Sequence, residues 1–95
     1  MSPWVQTEVT CQVGARNLRG QTWNLSQGGM QLEVGDLQPG DSVRVSFRLP
    51  ASVDTIDAFG TVIWSKHDQQ GIQFTRMTNQ NREGISRFIM QVEKS

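Results

Sequence analysis

Ninety-five residues make one domain and not two, since domains usually run to about 100–150 residues, each around its own core. Nine basic side chains balance nine acidic ones, so no surplus of positive charge is available to cluster against DNA or RNA. The apolar share is 36% and the mean hydropathy −0.45, a lean core that suits a small sheet protein with one wet face and suits a helical bundle poorly.

No apolar run approaches the roughly 18–20 residues of a membrane span. Met1 to Thr7 lack the charged and apolar regions of a secretory signal. Cys11 is the only cysteine and His67 the only histidine, which leaves no internal disulfide and no structural metal site to expect. The expectation is a single small domain of a reducing compartment, or one excised from a longer protein.

Along the chain, alternation of period two comes first. Val5, Thr7, Val9, Cys11 and Val13 fall on one face of a strand. Gly14 to Gly20 reads as a polar hairpin connection bracketed by glycines. Residues 21–26 and 29–34 read as strands around Gln27-Gly28, and Leu37 to Asp41 (LQPGD) as a β-turn. Val43, Val45, Phe47 and Leu49 then alternate against Ser42, Arg44, Ser46 and Arg48 until Pro50, which has no N–H for the ladder. A polar loop at 51–55 leads to a long strand near 56–65, a turn at Asp68 to Gly71, and a short strand at 71–74.

The period then changes. Ile85, Phe88, Ile89 and Val92 form the apolar stripe of a helix near 79–92, with Thr78 or Asn79 as its N-cap. A full burial of Phe88 would make Phe88→Ala cost about 3–5 kcal/mol. Six strands and one closing helix imply a mainly β fold, a six-stranded antiparallel barrel whose closure leaves no exposed edge.

Asn24-Leu25-Ser26-Gln27-Gly28-Gly29-Met30 carries the chemistry. In a strand Asn24 and Ser26 share a face about 7 Å apart, and Gly28 and Gly29 let backbone approach a ligand. An amide beside a hydroxyl suits the hydrogen-bonding edge of a planar heterocycle. The plain alternative is a polar turn that only closes a hairpin.

NLSQGGM resembles the [D/N]-x-S-x-x-G motif of PilZ domains, with Asn24, Ser26 and Gly29 on the defining positions. The resemblance extends to Leu37-Gln38-Pro39-Gly40-Asp41, to Val62-x-Trp64, to Gly71-Ile72-Gln73-Phe74 and to Ile85-Ser86-Arg87-Phe88-Ile89. It covers residues 5–93 and implies a PilZ-like barrel with a C-terminal α-helix and a regulatory, non-enzymatic, cytoplasmic role, freestanding or as the cytosolic domain of a larger effector. The ligand it implies is cyclic di-GMP. The partner it implies is a fused or associated enzyme or machine, such as cellulose synthase or the flagellar motor. Asn24, Ser26, Gly28 and Gly29 become ligand-binding candidates, and Trp64 a candidate stacking surface for guanine, against the plainer reading of a strand tryptophan as core or half-buried packing.

The family's second motif, R-x-x-x-R ahead of the first strand, has no counterpart in residues 1–8. Arginine forks grip guanine acceptors and phosphates, so losing two of them costs several kcal/mol at about 1.5–3 kcal/mol per charge-assisted bond. Arg16 and Arg19 are the nearest substitute cations, spaced R-x-x-R on the expected hairpin tip, where the favoured reading is solvated loop residues and ligand contact the lesser alternative. The alternative function is therefore a PilZ-type protein–protein adaptor that binds no nucleotide. Trp23 is expected to fill the barrel, Cys11 to lie in the core, and His67, Asp54 and Asp57 to be solvated. No nucleophile, base and carboxylate set suggests catalysis. An oligonucleotide-binding barrel is disfavoured by the neutral charge and the lack of several aromatics on one strand face.

Overall fold

Inward and outward residues alternate along the strands, and that alternation closes the sheet on itself. The computed structural model describes residues 4–35, 37–49 and 55–93, without the side chains of 4–7, 23, 92 and 93. Its strands are β1 (Trp4–Val13), β2 (Arg16–Leu25), β3 (Gly29–Glu33), β4 (Ser42–Arg48), β5 (Thr55–Lys66) and β6 (Gln69–Met77), followed by helix α1 (Asn79–Glu93). All pairs are antiparallel in the closed order β1-β2-β3-β6-β5-β4, with β4 returning to β1 through Val9↔Phe47 and Cys11↔Val45. The expected six-stranded barrel is the fold found. The expectations for Val5, Thr7, Trp23, Asp54 and Val92 fall outside what is described.

The interior is filled by Val9, Cys11, Leu25, Leu32, Val45 and Val62, each 0–1% exposed, with Ile72 and Phe47 beside them. Cys11 is core, and its burial pushes the thiol from 9.0 up to about 11, so it is protonated at neutral pH.

The first hairpin differs from expectation. Val13 pairs with Arg16, so the connection is the two-residue turn Gly14-Ala15, and Arg16 to Gly20 are already strand. Gly20 is not a turn residue; a Cβ there would lie 2.1 Å from the Glu33 carbonyl oxygen, because β2 and β3 run too close for a side chain. Farther on, the LQPGD turn is fixed by the Asp41 carboxylate, which accepts from the Gln38 N–H at 2.9 Å. It is stitched to β5 by Gly40 N–H to Val62 O at 2.8 Å and Val62 N–H to Asp41 O at 2.9 Å.

Thr78 caps α1: its hydroxyl accepts from the Asn81 N–H at 3.2 Å. Ile85 and Ile89 enter the barrel core, whereas Phe88 is only half-buried and Met90 faces solvent. The Asn81 side-chain amide donates to the Asp57 carbonyl at 3.1 Å and ties the first turn of the helix to the start of β5. Asp57 is not a free solubilising charge. Its carboxylate accepts from the Ser46 hydroxyl and lies 3.8 Å from Arg44.

Candidate functional site

Two β-bulges build the site. On β2 the pairing passes from Thr22↔Leu32 to Asn24↔Gln31, which leaves Trp23 as the extra residue. On β5 it passes from Val62↔Ile72 to Trp64↔Gly71, which leaves Ile63 extra. An extra residue resets the in–out alternation beyond it. Thr22 and Leu25 are therefore both buried, and Asn24 and Ser26 are both half-buried on the outer face. Likewise Val62 points inward, Ile63 is 54% exposed, and Trp64 is half-buried outside the barrel instead of inside it.

The result is an open groove of about 590 Å³ lined by Asn24, Ser26, Gly28, Gly29, Met30, Gln31, Ile63, Trp64, Gly71, Ile72 and Gln73. This volume is within the roughly 300–1,000 Å³ of small-molecule sites. The expected site residues Asn24, Ser26, Gly28, Gly29 and Trp64 thus meet on one surface, although the last is 38 positions from Ser26 in the sequence.

Each position has a local cause. The Asn24 Nδ2 donates to Gln31 Oε1 at 3.0 Å across the ladder, which fixes the plane of the amide. The buried Thr22 hydroxyl donates to the Gln31 carbonyl at 2.9 Å and staples the bulge. Ser26 closes its own turn: Oγ accepts from the Gly29 N–H and donates to the Gly29 carbonyl, both at 3.1 Å. The Ser26 N–H reaches the same carbonyl at 2.9 Å.

Gly29 is required by the barrel, because a Cβ would stand 2.3 Å from the Ile72 carbonyl oxygen on β6. A Cβ on Gly28 would meet nothing within 4 Å. Gly71 makes room for the indole, since its Cβ would fall 2.0 Å from Trp64 Nε1. The tryptophan ring lies over its cross-strand glycine, an aromatic covering a gap in the sheet.

Arg16 and Arg19 are elsewhere. Both are exposed on β2, opposite Val13 and Thr10, and neither lines the groove. At about 3.3 Å per strand residue they stand roughly 26 and 16 Å from Asn24. No ionisable side chain lines the groove among the described residues. Gln31, Ile63 and Gln73 line the groove, with buried Thr22 behind them, and none is marked in the sequence, since bulges leave no compositional signal. His67 is exposed in the β5–β6 turn. Among the described residues no cluster of three His, Cys, Asp or Glu could hold a metal, and no helix is long and apolar enough to cross a membrane.

A closed antiparallel barrel, one docked C-terminal helix and an N-x-S-x-x-G turn opening onto a groove define a small binding-domain class. The family model for the PilZ domain matches residues 3–91, and the chain belongs to that family. No curated protein sequence matches significantly. The structure is similar to the Bacillus subtilis inhibitor of motility MotI/DgrA (TM-score 0.86, 17% identity, 97% of this chain). This chain spans only about half, 49%, of that structure. It is similar to the PilZ domain of CeSA from a cellulose-synthesizing bacterium (TM-score 0.76, 16% identity, 98% of both chains). It also resembles the PilZ domain of YcgR from Escherichia coli, solved with c-di-GMP (TM-score 0.75, 15% identity, 94% of this chain and 82% of that one).

Proposed function

We propose that the chain is a cyclic di-GMP-responsive regulatory domain that passes the ligand signal to an associated enzyme or machine. The observation that carries this reading is the convergence of Asn24, Ser26, Gly28, Gly29 and Trp64 on one groove. The Asn24 amide offers an acceptor to a guanine edge, open backbone at Gly28 lets phosphate or sugar approach, and the indole offers a face for stacking. The similar YcgR PilZ domain was solved with c-di-GMP, which supports the ligand class. The similar inhibitor of motility and the CeSA domain from a cellulose-synthesizing bacterium make a motility or cellulose-synthesizing machine the kind of target to examine.

One observation favours a second reading, the adaptor without nucleotide: a groove with no charged side chain among the described residues meets a ligand carrying two phosphates. Titration of the labelled chain with cyclic di-GMP, followed by amide and indole NMR signals, separates the two. The receptor reading expects shifts at Asn24, Gly28, Gly29 and the Trp64 indole N–H. Unmoved signals at those positions up to millimolar ligand hand the function to the adaptor.

A further inference from the structure

The barrel carries a second distinctive surface, away from the groove. Gln12↔Arg44, Arg44↔Phe59 and Phe59↔Arg76 are successive cross-strand partners on β1, β4, β5 and β6. With strands about 4.8 Å apart, the two arginines flank the phenylalanine some 10 Å from each other. Phe59 is 49% exposed, and the Arg44 guanidinium sits 5.7 Å from its ring centre. A lone exposed aromatic is ordinary. An exposed ring with one arginine over it and a second as its partner on the next strand is not, since aromatics and arginines are the residue types that anchor protein interfaces.

The shape argues against a small ligand. Arg44, Phe59 and Arg76 are common to two open hollows of about 520 and 530 Å³, one toward Gly14 and Ser42, the other toward Thr78 and Asn81. The three side chains are thus the ridge between two depressions, where a small-molecule site would be a single concavity. The charge identifies the partner. Asp57 is already engaged by the Ser46 hydroxyl and reaches Arg44 only at 3.8 Å, with both side chains about half exposed. Arg76 has no hydrogen bond or ion pair among the described residues. Two cations with one carboxylate, which lies beside Arg44 alone, leave the ridge positive among the described residues of a chain whose net charge is zero.

We infer that the Arg44–Phe59–Arg76 ridge is a docking surface for a second protein that presents carboxylates around an apolar hollow. Phe59 enters the hollow, and the two arginines pair with its acidic rim. The inference stands whichever reading of the groove holds.

The test is a displayed random-peptide library selected on the 95-residue chain and counter-selected on the Phe59→Ser and Arg76→Glu variants. The expected winners carry Asp or Glu around Leu or Phe, lose at least tenfold in affinity to either variant, and weaken as salt rises. Their NMR footprint falls on residues 44, 59 and 76. Both variants should melt within a few degrees of wild type; if Phe59→Ser does not, Arg76→Glu carries the test alone. Neutral or basic winners, or winners that bind Arg76→Glu as tightly as wild type, overturn the inference. So does a footprint of GMP on the ridge, or a self-association in sedimentation that either variant abolishes, because the occupant is then a nucleotide or a second copy.

Discussion

Asn24 near the end of β2 and Ser26 just beyond it line the same groove, yet their polar atoms have different partners. The serine hydroxyl is donor and acceptor within its own turn, so the plain hairpin-closing explanation accounts for it in full. Asn24 is held by Gln31 through one amide hydrogen, and its acceptor is a single oxygen. An aspartate at 24 offers two acceptors to the adjacent N1–H and N2–H of guanine, and Gln31 can keep its contact by turning its own amide to donate. Asn24→Asp should therefore tighten cyclic di-GMP binding by about 1 kcal/mol, near the lower end for a bond to a charged group. Ser26→Ala should cost about 1 kcal/mol of stability and loosen the turn, weakening binding while the barrel stays folded. Calorimetry on the three proteins, with melts to verify folding, decides. Equal affinities would reduce the motif to a hairpin closure.

At the scale of elements, what the sequence made readable and what it hid have separate physical causes. Val43, Val45 and Phe47 alternate without interruption, and β4 is the strand they describe. The stripe at 85, 88 and 89 and the cap at Thr78 were legible for the same reason, a local pattern with a local cause. The first hairpin was not, because Gly20 serves the close approach of β3, a contact 13 residues away in sequence. The motif named half of the groove; the bulges at Trp23 and Ile63, which turn Asn24 and Trp64 outward, are long-range pairings that no local pattern records. The helix shows the energetic consequence of such detail. Ile85 is 1% exposed and central to the docking, so Ile85→Ala should cost about 2–5 kcal/mol in urea melts. Phe88 is half-buried, and Phe88→Ala should cost about half of the 3–5 kcal/mol expected of a buried ring. A larger loss at Phe88 than at Ile85 would contradict this docking of α1.

Over the whole molecule, charge decides how far the groove can serve a dianion. Nine positive and nine negative side chains give no net charge to steer a phosphate, and among the described residues none of them lines the groove. Residues 1–95 alone should accordingly bind cyclic di-GMP weakly, above about a micromolar Kd, and with little dependence on salt. Gln73 offers a place to change this. It is exposed, lines the groove, and pairs with Gly29 on one side and Thr61 on the other, so a longer side chain there disturbs no core. Gln73→Arg puts a guanidinium fork beside the open backbone of the glycine turn, where a phosphate would lie. One charge-assisted bond at about 1.5–3 kcal/mol corresponds to a gain of roughly 10- to 100-fold. The gain should shrink as salt rises from low to physiological strength, since the new charge is solvent-facing. Gln73→Glu should abolish binding by setting a like charge against the phosphates, while Arg76→Glu, on the separate ridge, should leave it unchanged. Calorimetry at two salt concentrations reads all four proteins. If the arginine and glutamate variants at 73 differ by less than twofold, the phosphates do not lie over β6, and the groove is not where the dinucleotide sits.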